Sequence, residues 1–268
     1  MRFAAMVAAV LVLFGTVFAH GGGQELTAEQ IIQKHIAAVG GKEKLTRFKT
    51  RVAIGMVQKE NEPAGKMAIM SEVPNRVSAF YAFEKFDWRL IYDGTNSIYR
   101  PTTSGALAIF IRKYQESLAS GFLFNGIALY NTLLDSETGK VSFKARGTKK
   151  IDGREAYVVE AQTGKGINVK LFFDAETFMW IRTDFGQAHY AKQAGAFSNG
   201  AVAHNQDEIT VDYYFVTSDF RKIDGLMLPF KFEQVITYPL TRDKSSSVIK
   251  GTITEYKHDI PIDPGMFH

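Results

Sequence analysis

The sequence predicts an α+β, mainly β chain: one wide curved antiparallel sheet, a half-open β-barrel of about ten to eleven strands, with an N-terminal helix and a central helical lid or plug. Three observations predict it. Asp93-Gly94, Asp152-Gly153 and Asp224-Gly225 each stand between stretches that alternate apolar and polar residues, and Asp-Gly accepts the positive φ of a tight hairpin turn. A well-signalled helix precedes all the strands. A second run of helical spacing separates two blocks of strands, in position to cover the inner face of a sheet that is too wide to stay flat.

Before the first helix, Arg2, the apolar run Ala4 to Phe14 and the small-x-small site Val17-Phe18-Ala19 read as a secretory signal peptide over residues 1–19. The remainder, 20–268, reads as a single domain exported to the periplasm. Thr27 and Gln30 form a capping box, and Ile31, Ile32, His35, Ile36 and Val39 share one face before Gly40 ends the helix. His35, on that apolar face, reads as a packed core histidine.

From Arg47 the period becomes 2. Val52, Ile54 and Met56 alternate with Arg51, Ala53 and Gly55; further strands follow at Met67 to Ile69, Val77 to Phe83, Trp88 to Tyr92 and Ile98 to Arg100. Leu107, Phe110, Ile111, Tyr114 and Leu118 recur at helical spacing. Phe122, Phe124, Leu129, Tyr130, Leu133 and Leu134 form a second apolar cluster, read as a short helix. Strands resume at 141–149, 155–162, 167–174 and 178–185, then at 209–217, 228–237 and 248–256. Residues 186–207, rich in Ala, Gly and Asn, read as a mobile loop.

The chain has 268 residues, no Cys and a net charge of +4 with scattered Lys and Arg. Disulfides, Cys-based metal sites and N-terminal acylation on Cys are excluded, and no basic block suits nucleic acid. No G-x-S-x-G, H-E-x-x-H, P-loop or dinucleotide fingerprint occurs. His189, His204 and Asp207 read as solvated loop groups rather than a metal site. His258 and Asp259 are too isolated for a catalytic dyad. No cofactor is expected, and the chain is not read as an enzyme.

The succession Pro74-Asn75, Asp93-Gly94, Tyr99 and Pro101 resembles the LolA/LolB-like group of outer-membrane lipoprotein-sorting carriers and lipid-binding relatives. Asp152 to Tyr157, Leu171 to Asp174 with Thr177, Tyr213 to Leu228-Pro229, and Ile262-Asp263 with Phe267 are also similar to the wider family. The resemblance implies antiparallel strands around an apolar cavity that accepts acyl chains in the periplasm, closed by helices. It also implies lipoprotein acyl chains or lipids as ligand, with membrane-bound donor and acceptor proteins as partners of a monomer. One departure matters: the carriers place an arginine tied to release directly before the Pro-Asn pair, and here that residue is Val73.

Met56, Met67 and Met70 suit an adaptable lining. Phe80, Phe83, Trp88, Tyr92, Phe110, Tyr114 and Phe124 add apolar area to the expected cavity and lid. Two other readings share these residues: an envelope enzyme acting on a lipidic substrate in the same cavity, and a structural or interaction module whose core is filled.

Overall fold

The computed structural model describes residues 25–84, 87–95, 97–101, 125–129, 131–134, 141–163, 168–191, 208–237 and 246–268. Within them the chain forms helices α1 (Ala28–Ala38), α2 (Lys42–Arg47) and α3 (Asn131–Leu134). The strands are β1 (Thr50–Lys59), β2 (Gly65–Glu72), β3 (Arg76–Ala82), β4 (Asp87–Tyr92), β5 (Ser97–Pro101) and β6 (Val141–Ile151). They continue with β7 (Arg154–Thr163), β8 (Asn168–Asp174), β9 (Trp180–Ala191), β10 (Glu208–Ile223), β11 (Leu226–Thr237) and β12 (Ser246–His258).

All twelve strands join one antiparallel sheet in the order β5-β4-β3-β2-β1-β12-β11-β10-β9-β8-β7-β6. Consecutive hairpins build each half, and β1 pairs with β12 to join them. Every segment read as a strand pairs, the short edge piece Ser97–Pro101 included, so the count is twelve against the expected ten to eleven. Two of the three Asp-Gly pairs form the expected tight turn; at Asp93-Gly94 only Gly94 has a positive φ, 101°, and Tyr92 pairs with Ser97 across a longer loop. Asp152 and Gly153 have φ of 48° and 82°, and Asp224 and Gly225 have 50° and 85°, the left-handed pairs of a I′ hairpin.

The two free edges are protected differently. β5 is short and ends in proline. β6 carries exposed Lys144, Arg146, Lys149 and Lys150 and a register shift between Ala145 and Thr148. Charge and irregularity on an edge oppose pairing with another chain.

The curl of the sheet follows from one contact. β3 and β11 stand four strand positions apart, about 19 Å in a flat sheet at the usual strand spacing. The rings of Tyr81 on β3 and Phe232 on β11 are nevertheless 6.2 Å apart between centroids, and Phe232 stacks on Phe215 of β10 at 5.1 Å. The sheet therefore bends strongly towards its inner face without closing. Gly251 makes room for this stack: a Cβ there would lie 2.0 Å from the Phe232 ring.

The inner face carries the main core. Val57, Met67, Ile69, Ala79, Tyr81, Leu90, Val159, Leu171, Phe173, Phe215, Leu228, Phe232 and Ile253 belong to it, together with Ile31, Ile32, Ile36 and Val39 of α1. Thr27 and Gln30 exchange both bonds of the expected capping box. α1 ends on the β10–β11 turn, where Met227 N–H donates to Val39 O at 2.9 Å. The short helix α2, with Leu45 buried, is not signalled by periodicity because a single turn and a half is too short to show a stripe.

Some expectations need correction. β9 continues to Ala191 and β10 begins at Glu208, with Tyr190 opposite Ile209 and Ala188 opposite Val211. The ends of the expected loop 186–207 are thus ladder, concealed by weakly apolar Ala, Gly and His; residues 192–207 lie outside the described residues. Of the expected central lid, only the four residues of α3 are helical among the described residues, 125–129 being irregular, and the run from Leu107 to Leu118 lies outside the described residues.

His35 is a core histidine as expected. It is fully buried, faces Phe173 at 5.0 Å, and its Nδ1–H donates to Phe178 O at 2.8 Å. Burial lowers its pKa to about 4 from the usual 6.5. Above pH 6.5 both folded and unfolded states hold a neutral ring. Below it the unfolded ring takes a proton that the folded one refuses, so stability falls by about 3 kcal/mol on reaching pH 4. Denaturant titrations at pH 7, 5.5 and 4.5 are expected to show that loss in wild type, and His35→Gln is expected to lack this component of the slope.

Candidate functional site

β5 and β6 are the two edge strands of the sheet, and the described residues between them in the chain, 125–129 and 131–134, form the segment hereafter called the crossing segment. It lies on the inner face. Residues 125–129 are all buried, and Ile127, Ala128, Leu129 and Leu133 join the main core. Asn125 shapes the segment locally: its Oδ1 accepts from Ile127 N at 2.9 Å and from Ala128 N at 3.3 Å.

Arg51 and Ser71, on the mid-sheet strands β1 and β2, hold this segment. Arg51 Nη1 donates to Ile127 O at 3.2 Å and to Ala128 O at 2.9 Å, and Ser71 Oγ accepts from Leu129 N at 3.2 Å. Arg51 is 1 % exposed. Its Nε donates to His258 Nε2 at 3.0 Å, so that nitrogen is bare and His258 Nδ1–H faces Asp224 Oδ2 at 2.8 Å. The imidazole also stacks on Phe48, centroids 4.0 Å apart. Burial and then the Arg51 charge hold the His258 pKa below its ordinary value, against the raising effect of Asp224. A chain of polar contacts therefore runs from the surface carboxylate of Asp224 to the carbonyls of the crossing segment.

The sequence leaves this arrangement unread. His258 is not isolated: its partner is Asp224, distant in sequence, whereas Asp259 Oδ1 accepts from Lys49 N–H at 2.7 Å. β1 also faces the other way from the alternation Val52, Ile54, Met56. Arg51, Ala53, Gly55 and Val57 point inward, because the buried arginine is needed at the crossing segment and the small residues sit where neighbouring backbone is close. At Gly55, beside a bulge, a Cβ would lie 2.1 Å from Thr252 O.

The expected lining residues separate accordingly. Met67 and Phe83 are buried in the inner core, and Tyr92 packs half-buried against it, its phenol pKa raised by burial. Met56, Met70 and Phe80 are placed on the outer face, a correction to their expected inward direction. Met56 is 41 % exposed. Met70 packs with Val52, Ile91 and Phe267 under the C-terminal tail. Phe80 lies beneath the Arg89 guanidinium. Period 2 shows that a strand has two faces but does not say which is inner when both carry apolar residues. The Trp88 side chain and all of Phe110, Tyr114 and Phe124 lie outside the described residues. Val73 packs at the margin of the inner core, and Arg76 turns outward, to Glu72 and over the Phe267 ring. Among the described residues the arginine buried on the inner face is Arg51, neither before nor after the Pro-Asn pair.

Among the described residues no group of three or more His, Asp or Glu side chains is placed to hold a metal ion, and no helix is long and apolar enough to cross a membrane.

No family model matches the chain, and no curated protein matches it in sequence. Solved structures do. An outer-membrane lipoprotein-sorting protein domain from Vibrio parahaemolyticus has 10% identity and a TM-score of 0.48, over 90% of this chain and 95% of its own. A DUF1329 family protein from Desulfovibrio piger has 10% identity and a TM-score of 0.45, over 90% and 97%. A LolA superfamily protein from Nitrosomonas europaea has 14% identity and a TM-score of 0.41, over 91% and 98%. The solved structures to which this chain is similar thus include the LolA superfamily and the outer-membrane lipoprotein-sorting proteins.

Proposed function

We propose that this protein is an exported carrier that holds an acyl chain, of a lipoprotein or a lipid, between its curled sheet and the segment crossing it. The observation that carries this reading is the Tyr81–Phe232 contact across four strand positions in a sheet whose edge strands, β5 and β6, pair with no further strand among the described residues. The apolar inner face is bent around an interior, yet one side stays free to open.

Magnitudes support it. Twelve strands span roughly 53 Å across the sheet, whereas α1, the longest described helix over that face, is about 16 Å long. The inner face is therefore much broader than the described helix over it. Each CH₂ of an acyl chain taken up there contributes about 0.8 kcal/mol, so a chain of ordinary length binds without any charged contact.

In this reading the crossing segment is the cover, Arg51 holds it closed, and transfer proceeds by its displacement, without covalent chemistry. Residues 1–19 act as the signal peptide, 20–268 as one periplasmic domain, monomeric, with membrane-bound donor and acceptor partners. The resemblance carried by Pro74-Asn75, Asp93-Gly94, Tyr99 and Pro101 supports the same ligand class.

Native mass spectrometry of the purified protein, before and after organic extraction, tests the reading. The expected result is an adduct of acyl-lipid mass that extraction removes. Protein that carries no adduct, and takes none from vesicles of zwitterionic and anionic phospholipid or from an acylated peptide, overturns it.

A further inference from the structure

Most buried polar side chains of the inner core have an internal partner. Thr217 Oγ1 donates to Trp180 O, Trp180 Nε1 to Thr183 Oγ1, and Tyr256 OH to Pro229 O. Arg51 and Ser71 are engaged by the crossing segment. Gln234 of β11 differs. It continues the inward row Leu228, Phe230, Phe232, and its register partners are Phe215 on β10 and Ile249 on β12, both part of or packed against the core. The residue is 3 % exposed, and its carboxamide Oε1 is buried with no hydrogen-bond donor beside it.

A polar group in such a place is disfavoured unless something answers it. Leucine would extend the apolar row at similar volume and remove the penalty. The backbone amides near Gln234 are taken by the ladders to β10 and β12. What can satisfy the oxygen is a molecule that enters the interior, a water or a ligand.

We propose that Gln234 is the polar contact of the acyl-chain site, and that it accepts a hydrogen bond from an uncharged donor at the head of the bound chain, an amide N–H above all. This inference rests on the carrier reading. The chemistry narrows the ligand in three ways. A carboxylate or phosphate buried among Phe215, Phe232 and Ile249 would be an uncompensated anion, and the buried inner-face arginine, Arg51, is committed to the crossing segment and His258. An ester presents acceptors only and leaves the glutamine oxygen unanswered. Turning the carboxamide over would present its NH₂ but move the oxygen to where the nitrogen now sits; an amide, bringing both a donor and an acceptor, answers either setting. The polar part of the ligand that reaches Gln234 is therefore neutral and amide-like, with the alkyl chain along the aromatic stack of Phe215, Phe232 and Tyr81.

The test uses the full mature chain and two probes of matched shape, N-dodecylacetamide and dodecyl acetate, each displacing a polarity-sensitive fluorescent dye. Wild type is expected to prefer the amide by about tenfold, the equivalent of one neutral hydrogen bond. Gln234→Leu is expected to lose about tenfold for the amide while its ester affinity stays within about twofold. Gln234→Met, apolar and unbranched like glutamine, is expected to behave the same way and guards against a packing artefact. An N-lauroyl peptide in a third arm separates sources: tighter binding than N-dodecylacetamide assigns the amide to an acylated polypeptide, weaker binding to a free lipid. Equal wild-type affinity for amide and ester, or a parallel loss of both in the variants, overturns the role of Gln234 alone. Wild type that binds neither probe, nor the peptide, overturns the carrier reading as well.

Discussion

Replacing Phe232 with alanine is expected to cost about 4 kcal/mol of folding stability. The side chain is fully buried and fills a place where distant parts of the sheet meet, between Phe215 at 5.1 Å and Tyr81 at 6.2 Å. Its removal leaves a void that neighbouring strands cannot collapse into, since β3 and β11 are held by their own ladders. Urea unfolding of the two proteins measures the difference, and a loss below about 1 kcal/mol would show that the ring is not packed as described. If the interior carries an acyl chain, the same substitution adds room along it. Affinity for longer chains is then expected to hold or rise while stability drops, a divergence that a solid core does not produce.

Arg51→Leu is expected to cost a comparable amount, about 4 kcal/mol, for a different reason. Leucine leaves the carbonyls of Ile127 and Ala128 and the Nε2 of His258 without their donor, and each buried acceptor left unanswered costs about 1–3 kcal/mol. Arg51→Lys is expected to recover little, because an ammonium cannot present a planar fork to two carbonyls and an imidazole at once. Limited proteolysis with mass mapping is expected to show faster cleavage between Pro101 and Val141 in the leucine variant. An NMR titration supplies a readout that simple destabilisation would not move. Arg51 contributes to holding the His258 pKa down, so its loss is expected to raise that pKa. The sign for wild type follows: with the folded pKa below 6.5, the unfolded chain protonates His258 first on acidification, and stability falls as pH drops below 6.5. Unchanged proteolysis together with an unchanged His258 titration would show that Arg51 does not hold the segment.

Much of the architecture was legible from local chemistry. Thr27 and Gln30 specify a helix start that needs nothing beyond four residues. Asp152-Gly153 and Asp224-Gly225 specify turns for the same reason, and the alternation around them marks the strands. The facing of β1 was not legible. Val52, Ile54 and Met56 look like an inner row until Phe267, more than two hundred positions away, is seen to cover Val52 from outside. The signal that would have corrected it is the pairing of an arginine with a row of small residues, Ala53 and Gly55, which suits a crowded inner face. Gln234 carried a signal too, as the polar member of the row Leu228, Phe230, Phe232.

The residues by themselves determined where the chain turns, where it extends and that its strands have an apolar face, because turn, cap and periodicity act over a few positions. Only the tertiary structure decided which face is inner, that the sheet bends until Tyr81 meets Phe232, and that Asp224, His258, Arg51 and the carbonyls of Ile127 and Ala128 form one connected path. Those relations join residues separated by long stretches of chain. They are set by how twelve twisted strands curl and by what must cross them, and neither leaves a mark in the spacing of neighbouring residues.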